Sequence, residues 1–170
     1  MSLTSEPEAQ SLPFLGMAPF LRMSIAGIDF SSMAQEMIAL AEKAPEDATL
    51  WMNLATAMMS LKHEELGLQI QNQALQMQRV YHWHARQPTK LRVLMLMVPG
   101  NLSANIPLDC LLEDSDIDLI NYYVDPTAPH PLTSPVPEHD LVMVAIGASD
   151  EQSAVLQRLE NVLRDWQIGR

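Results

Sequence analysis

Residues 92–98 (RVLMLMV) run straight into Pro99-Gly100-Asn101-Leu102-Ser103-Ala104-Asn105 and then into the helix-like IPLDCLLE. This is the first strand–loop–helix of a parallel α/β domain, the place where such folds hold their ligands. It divides the chain: the pattern before it is helical, the pattern after it α/β. Two more strands are expected, at 117–124 (IDLINYYV) and 141–146 (LVMVAI), both short and rich in β-branched or aromatic residues. A helix is expected over 151–166, with Val155, Leu156, Leu159, Val162, Leu163 and Trp166 on one face. Ser149 and Gln152 have capping-box spacing at its start, and Asp150 and Glu151 suit the helix dipole. The order is β-α-β-loop-β-α. A right-handed crossover sets the first strand in the middle. The loops 99–105 and 147–151 then meet as two sides of a crevice at the carboxyl edge. The connection 126–137 holds five prolines and reads as an extended surface loop.

Composition narrows the function. A chain of 170 residues holds one ordinary domain or two small ones. With 48% hydrophobic and 18% charged residues it can pack a core. The net charge is −11, and residues 93–157 contain neither lysine nor arginine. That half has no side-chain cation for a phosphate, so nucleic-acid binding is not expected. The single cysteine, Cys110, cannot form an internal disulfide and fits a reducing compartment. No apolar run approaches the roughly 20 residues that span a bilayer, and Glu6 and Glu8 stand where a secretion signal carries bases. No membrane association and a cytoplasmic location are the expectations.

Residues 1–13 read as a flexible tail, 14–88 as a helical region and 89–170 as the α/β lobe. One stripe is Phe30, Met33, Met37 and Leu40. After Pro45-Glu46-Asp47 a second helix opens near Asp47 or Ala48, with Trp51, Leu54, Ala55 and Met58 on one face. Residues 61–64 connect it to a third stripe: Leu66, Ile70, Ala74, Met77 and Tyr81. A further helix is expected over 14–25, interrupted by Pro19 and Gly27. Residues 48–79 resemble a tetratricopeptide repeat. Trp51, Leu54, Ala55 and Met58 fall at the spacing of its Trp-x-x-Leu-Gly-x-x-Tyr signature, Gly67 and Ala74 match its small residues, and Pro45 matches a closing proline. Ala55, Met58 and Arg79 depart from the pattern's glycine, tyrosine and proline. One repeat and part of another is too few to stand alone, so these helices are expected to pack on the lobe.

The lobe resembles the N-terminal lobe of ATP-grasp ligase-like proteins that carry tetratricopeptide-type helices ahead of it. The matching residues are Pro99-Gly100, Ala104-Asn105, Pro107, residues 109–113 (DCLLE), Asp140 and Gly147-x-Ser149-Asp150-Glu151. The resemblance implies an α/β protein with an all-α N-terminal part: helical hairpins on a three-stranded parallel Rossmann-like β-α-β-β-α lobe. It implies substrate contacts from the first strand–helix loop, with ATP and magnesium held by later lobes of a longer parent, an ATP-dependent carboxylate–amine ligase. The chain itself, ending at Arg170, is then a front region without cofactor or catalytic residues, partnered by C-terminal domains or another protein. Homo-oligomerisation stays open. The alternatives are a self-contained helical interaction module, needing an exposed groove lined by residues such as Met52, Met59 or Tyr81, and a small-molecule enzyme using the crevice.

The crevice candidates are Asn101, Ser103, Asn105, Ser149, Asp150 and Glu151. Their plainer role is capping: Asn105 for a helix near Pro107, and Ser149 to Glu151 for the last helix. The dinucleotide glycines are absent from this loop. Asp114, Asp116 and Asp118 share EF-hand spacing, but Leu119 replaces the glycine that turn needs. Cys110 lacks a basic neighbour and reads as a buried hydrophobe. His82 and His84, two apart, diverge if helical, and no metal site is expected. The 12 methionines read mainly as core filler.

Overall fold

The computed structural model describes residues 12–165. Residues 1–11, most of the expected tail, and Trp166 of the last stripe lie outside them. The helices are α1 (Ala18–Ile25), α2 (Ser31–Lys43), α3 (Ala48–Ser60), α4 (Glu64–Met77), α5 (Asp109–Leu112) and α6 (Ser153–Asp165). The strands are β1 (Val80–Trp83), β2 (Leu91–Met97), β3 (Ile117–Tyr123) and β4 (Leu141–Val144). The protein is thus mixed α/β. No helix among the described residues is long and apolar enough to cross a membrane.

α3 begins at Ala48, within the expected opening near Asp47 or Ala48, and Asp47 caps it by accepting a hydrogen bond from the Leu50 N–H at 3.0 Å. Helix α3 is central. It buries Leu50, Leu54 and Met58 toward α1 and α2, and Ala48 and Met52 toward the sheet. The turn to α4 passes through Lys62 in the left-handed region, φ 67°. The hairpin closes tightly at Gly67: a Cβ there would stand 2.9 Å from the Ala55 carbonyl oxygen. The stripes are rotated from the expected ones. α2 buries Ala34, Met37 and Ala41, while Leu40, Leu66 and Met77 are exposed.

The expected three-stranded parallel sheet has a fourth strand. Order is β1-β3-β2-β4, with β2 parallel to both β3 and β4 and β1 antiparallel to β3. β2 is central, as the crossover argument requires. β1 lies in a segment whose spacing reads as helical. Tyr81 continues the Ala74–Met77 period by spacing, but Val80, Tyr81 and Trp83 are strand formers. Their burial alternates: Tyr81 and Trp83 are buried, His82 exposed. Arg79 holds the junction by donating to the carbonyls of Tyr123 and Val124.

The sheet is covered on both faces. Val93, Met95, Leu119 and Tyr123 pack with the α3–α4 hairpin, while Leu94, Leu96, Ile120 and Tyr122 pack with Val155 and Leu159 of α6. Two buried faces explain why β2 reads as continuous hydrophobic sequence. The 126–137 connection is pinned to the α6 face. The Tyr122 hydroxyl donates to the Ser134 carbonyl at 2.6 Å and accepts from its N–H at 2.7 Å. Arg158 of α6 donates to the carbonyls of Pro126 and Ala128.

Candidate functional site

After β2 the chain turns to the hairpin face, where Leu108 and Leu112 pack. After β4 it turns to the opposite face, where α6 packs. The two exits diverge from neighbouring parallel strands, which opens a crevice at their carboxyl ends. Its rims carry Asn101 and Ser103 on one side and Ser149, Glu151 and Gln152 on the other. Its floor is stitched by backbone: Ile106 N–H donates to Ala145 O at 2.7 Å and Gly147 N–H to Ala104 O at 2.9 Å. Gly147 makes that approach feasible, since a Cβ there would stand 3.2 Å from the Ala104 oxygen. Gly100 is likewise close, its Cβ position 2.7 Å from the Ala104 Cβ.

The six expected residues take different parts. Asn101 Oδ1 accepts from Ser103 N–H (3.1 Å) and its hydroxyl (2.8 Å), a local turn that shapes the rim. Asn105 neither caps a helix nor lines the crevice. Its Oδ1 accepts from Val98 N–H at 2.8 Å and its Nδ2 donates to Val98 O at 2.8 Å, bracing the loop against its own strand. The helix beyond it starts late, at Asp109, and Leu108 rather than Asn105 is its flanking residue. On the other rim the capping box does not form: Ser149 makes no side-chain cap bond, and a 3₁₀ turn, Asp150–Gln152, precedes α6. Ser153 donates to the Asp150 carbonyl instead. Ser149, Asp150 and Glu151 are solvent-exposed, and Asp150 is not among the lining residues.

A second cavity, partly open to the surface, lies behind the 99–105 loop, on the hairpin face, with a volume of about 60 Å³. Phe14, Met59, Met95, Asp109, Asn121 and Tyr123 contribute to its wall. Three polar residues here escape a sequence reading based on apolar period. Asn121 lies inside β3, paired in register with Met95, and is 6% exposed. Its Oδ1 is buried without a hydrogen-bond partner. Asp109 is 6% exposed, and its Oδ2 accepts from Met17 N–H at 2.5 Å and Ala18 N–H at 2.9 Å, capping α1 from a distant segment. Gln71 closes the space from α4, accepting from Gly100 N–H (2.8 Å) and donating to Gly100 O (3.1 Å). The available signal was a polar residue at a core position, Asn121 within LINYYV above all.

Other expectations resolve as follows. Asp114 pairs with Arg86, Asp116 with Lys90, and Asp118 accepts from Ala85 N–H and Thr89, so the three acids serve separate partners. His82 and His84 do not diverge. They share a face at the end of β1, their rings stacked with centroids 6.3 Å apart. No group of three His, Cys, Asp or Glu side chains among the described residues is placed to hold a metal ion. Cys110 is half-buried, and burial, followed by the charges of Asp109 and Glu113, pushes its thiol up to about 11. It is a poor nucleophile. A scan against protein-family models finds no match for this chain, and no curated protein or solved structure matches it either.

Proposed function

We propose that this chain is a non-catalytic front region of an ATP-grasp ligase-like protein. In this reading a tetratricopeptide-like hairpin braces a Rossmann-like lobe, and the lobe supplies one wall of a substrate crevice. The observation that carries it is the divergence of the chain after β2 and β4, which sets Asn101, Ser103, Ser149 and Glu151 around one opening. Those groups offer neutral hydrogen-bonding capacity and one negative charge. Residues 93–157 hold no lysine or arginine, so the wall suits an amine-bearing substrate better than a polyphosphate. Nucleotide and magnesium chemistry is assigned to later lobes, and no residue here is given a catalytic role. Neither crevice serine is hydrogen-bonded to a histidine: Ser103 donates to Asn101.

The alternative of a free helical groove is less well supported. Met52, Met59 and Tyr81, which would line it, are 1%, 7% and 0% exposed. They serve the packing of the hairpin against itself and the sheet.

Amide NMR and calorimetry on the whole chain test the proposal, with MgATP and a panel of single amino acids as probes. The expected result is no heat or shift with millimolar MgATP, and saturable shifts at Ala104, Gly147 and Gln152 with at least one amino acid. Micromolar MgATP binding, or a silent crevice across the whole panel, would refute it.

A further inference from the structure

The sheet ends on β4, which pairs with β2 and meets no further strand among the described residues. The direction of its peptide groups follows from its neighbours. Val124 N–H donates to Met97 O and Ala145 N–H to Leu96 O. The odd residues of β2 therefore serve the β3 side and the even ones the β4 side. Peptide groups alternate along a strand, so counting back from Ala145 turns the N–H and C=O of Val144 and Val142 outward. Edge strands are commonly blunted by a charge or a proline. Residues 141–144 (LVMV) carry neither, and Leu141 is exposed.

Beside this edge runs a groove of about 420 Å³, lined by Val144, Leu156, Leu159, Glu160, Leu163 and Arg164. α6 buries Val155 and Leu159 against the sheet. Leu156 and Leu163, on the same apolar face, stay half-buried. The apolar face of the helix is thus wider than the sheet beneath it. Glu160 and Arg164 form the solvent rim. They are one turn apart, opposite in sign and paired with each other at 2.7 Å.

We propose that β4 and α6 form a twofold interface with a second copy of this chain. Charge is what selects a copy as the occupant. The chain carries a net charge of −11, so two copies repel over most of their surface. The groove is lined by one acid and one base. An antiparallel mate presents them in reverse order, its Arg164 opposite Glu160 and its Glu160 opposite Arg164. In a twofold contact residue i meets j and j meets i, so one fit supplies both halves. The strand edge obeys the same axis. Centred on Met143, β4 pairs antiparallel with its mate, and Val142 of each copy exchanges hydrogen bonds with Val144 of the other. Opposed residues of such a pair share a sheet face, and Val142 and Val144 both pack in the α6 cluster. The helices then lie antiparallel on that face, with Leu156 and Leu163 covered between them. Asp140, just ahead of β4, falls against Ile146 of the mate and meets no acid. The proposal does not rest on the crevice reading, whose opening lies at the carboxyl ends of β2 and β4.

Sedimentation equilibrium on the whole chain, with circular dichroism as the folding control, tests it. The expected result is a reversible dimer of twice the chain mass. Leu163→Glu should weaken it about thirtyfold or more, the scale of one interface anchor. Glu160→Arg and Arg164→Glu each set like charges against each other across the axis and should each weaken it about tenfold or more. An equimolar mixture of those two variants should regain the dimer, because every rim charge again meets its opposite. Both side chains are exposed, so this arm decides even where Leu163→Glu fails to fold. A chain that stays monomeric at millimolar concentration would overturn the proposal and leave the groove to a partner of another kind. A dimer indifferent to both charge reversals, or a mixture no more dimeric than its components, would overturn it as well.

Discussion

Gly67 poses a contest between two effects of similar size. It sits inside α4, where alanine is intrinsically better by about 1 kcal/mol. On an isolated helix Gly67→Ala would therefore stabilise. In this hairpin the added methyl meets the Met59 Cγ at 2.4 Å, the Ala55 carbonyl oxygen at 2.9 Å and the Met59 N at 3.1 Å. The Met59 side chain could in principle swing aside, but it is 7% exposed and has core around it. The Ala55 oxygen and Met59 nitrogen belong to the α3 backbone and move only if the helices part by about half an ångström. Overpacking of this kind costs about 1–3 kcal/mol, and a backbone clash belongs at the upper end. The net expectation is a loss of about 1–2 kcal/mol. Urea unfolding followed by circular dichroism reads it as a midpoint lowered by about 0.5–1 M. Met59→Ala should then cost less in the Gly67→Ala background than in the native chain, by at least about 0.5 kcal/mol. A Gly67→Ala protein as stable as the native one, or more so, would show that helix propensity and not close approach governs this position.

Tyr122→Phe removes both bonds to Ser134 and should cost about 1–2 kcal/mol, with faster amide exchange across residues 126–137 and little change in the hairpin. Acid should act through Asp118. Burial opposes its ionisation, but donation from Ala85 N–H, Thr89 and His84 outweighs that and holds its carboxyl below the ordinary 3.8. A depressed folded-state pKa means stability present above 3.8 and lost as pH falls below it. Asp118→Asn should flatten the acid limb of stability against pH, and an unchanged limb would count against this account.

The strands of the lobe were legible because their signal is local. Residues 93–98 form an apolar run closed by Pro-Gly, and β2 spans Leu91–Met97. The central place of β2 followed from handedness, which needs only element order. β1 was missed because Tyr81 satisfies a helical spacing while its neighbours favour strand, and only pairing with Leu119–Tyr122 of β3 decides between them. The capping roles of Asn105 and Ser149 failed for a related reason. An asparagine before a helix offers the same side chain to a cap or to a strand end, and the choice depends on where Val98 lies in space. The crevice rims could be placed from loops alone. The cavity on the hairpin face could not, since it needs the hairpin and the sheet to meet before Asn121 and Asp109 share a wall.

The segment just ahead of α1 is fastened at both ends to different halves of the chain. Asn53 of α3, fully buried, accepts from Leu15 N–H at 2.9 Å and donates to Pro13 O at 2.8 Å. Asp109, beyond β2, takes the N–H groups of Met17 and Ala18. Between them Phe14 lies against Tyr81, centroids 5.3 Å apart. This short stretch works as a suture across the join of helices and sheet. Cutting it away would leave an amide and a carboxylate stranded in the interior, one on each side. The seam that composition draws near residue 90 is therefore not a seam in packing, and neither half carries a complete set of partners for its own buried polar groups.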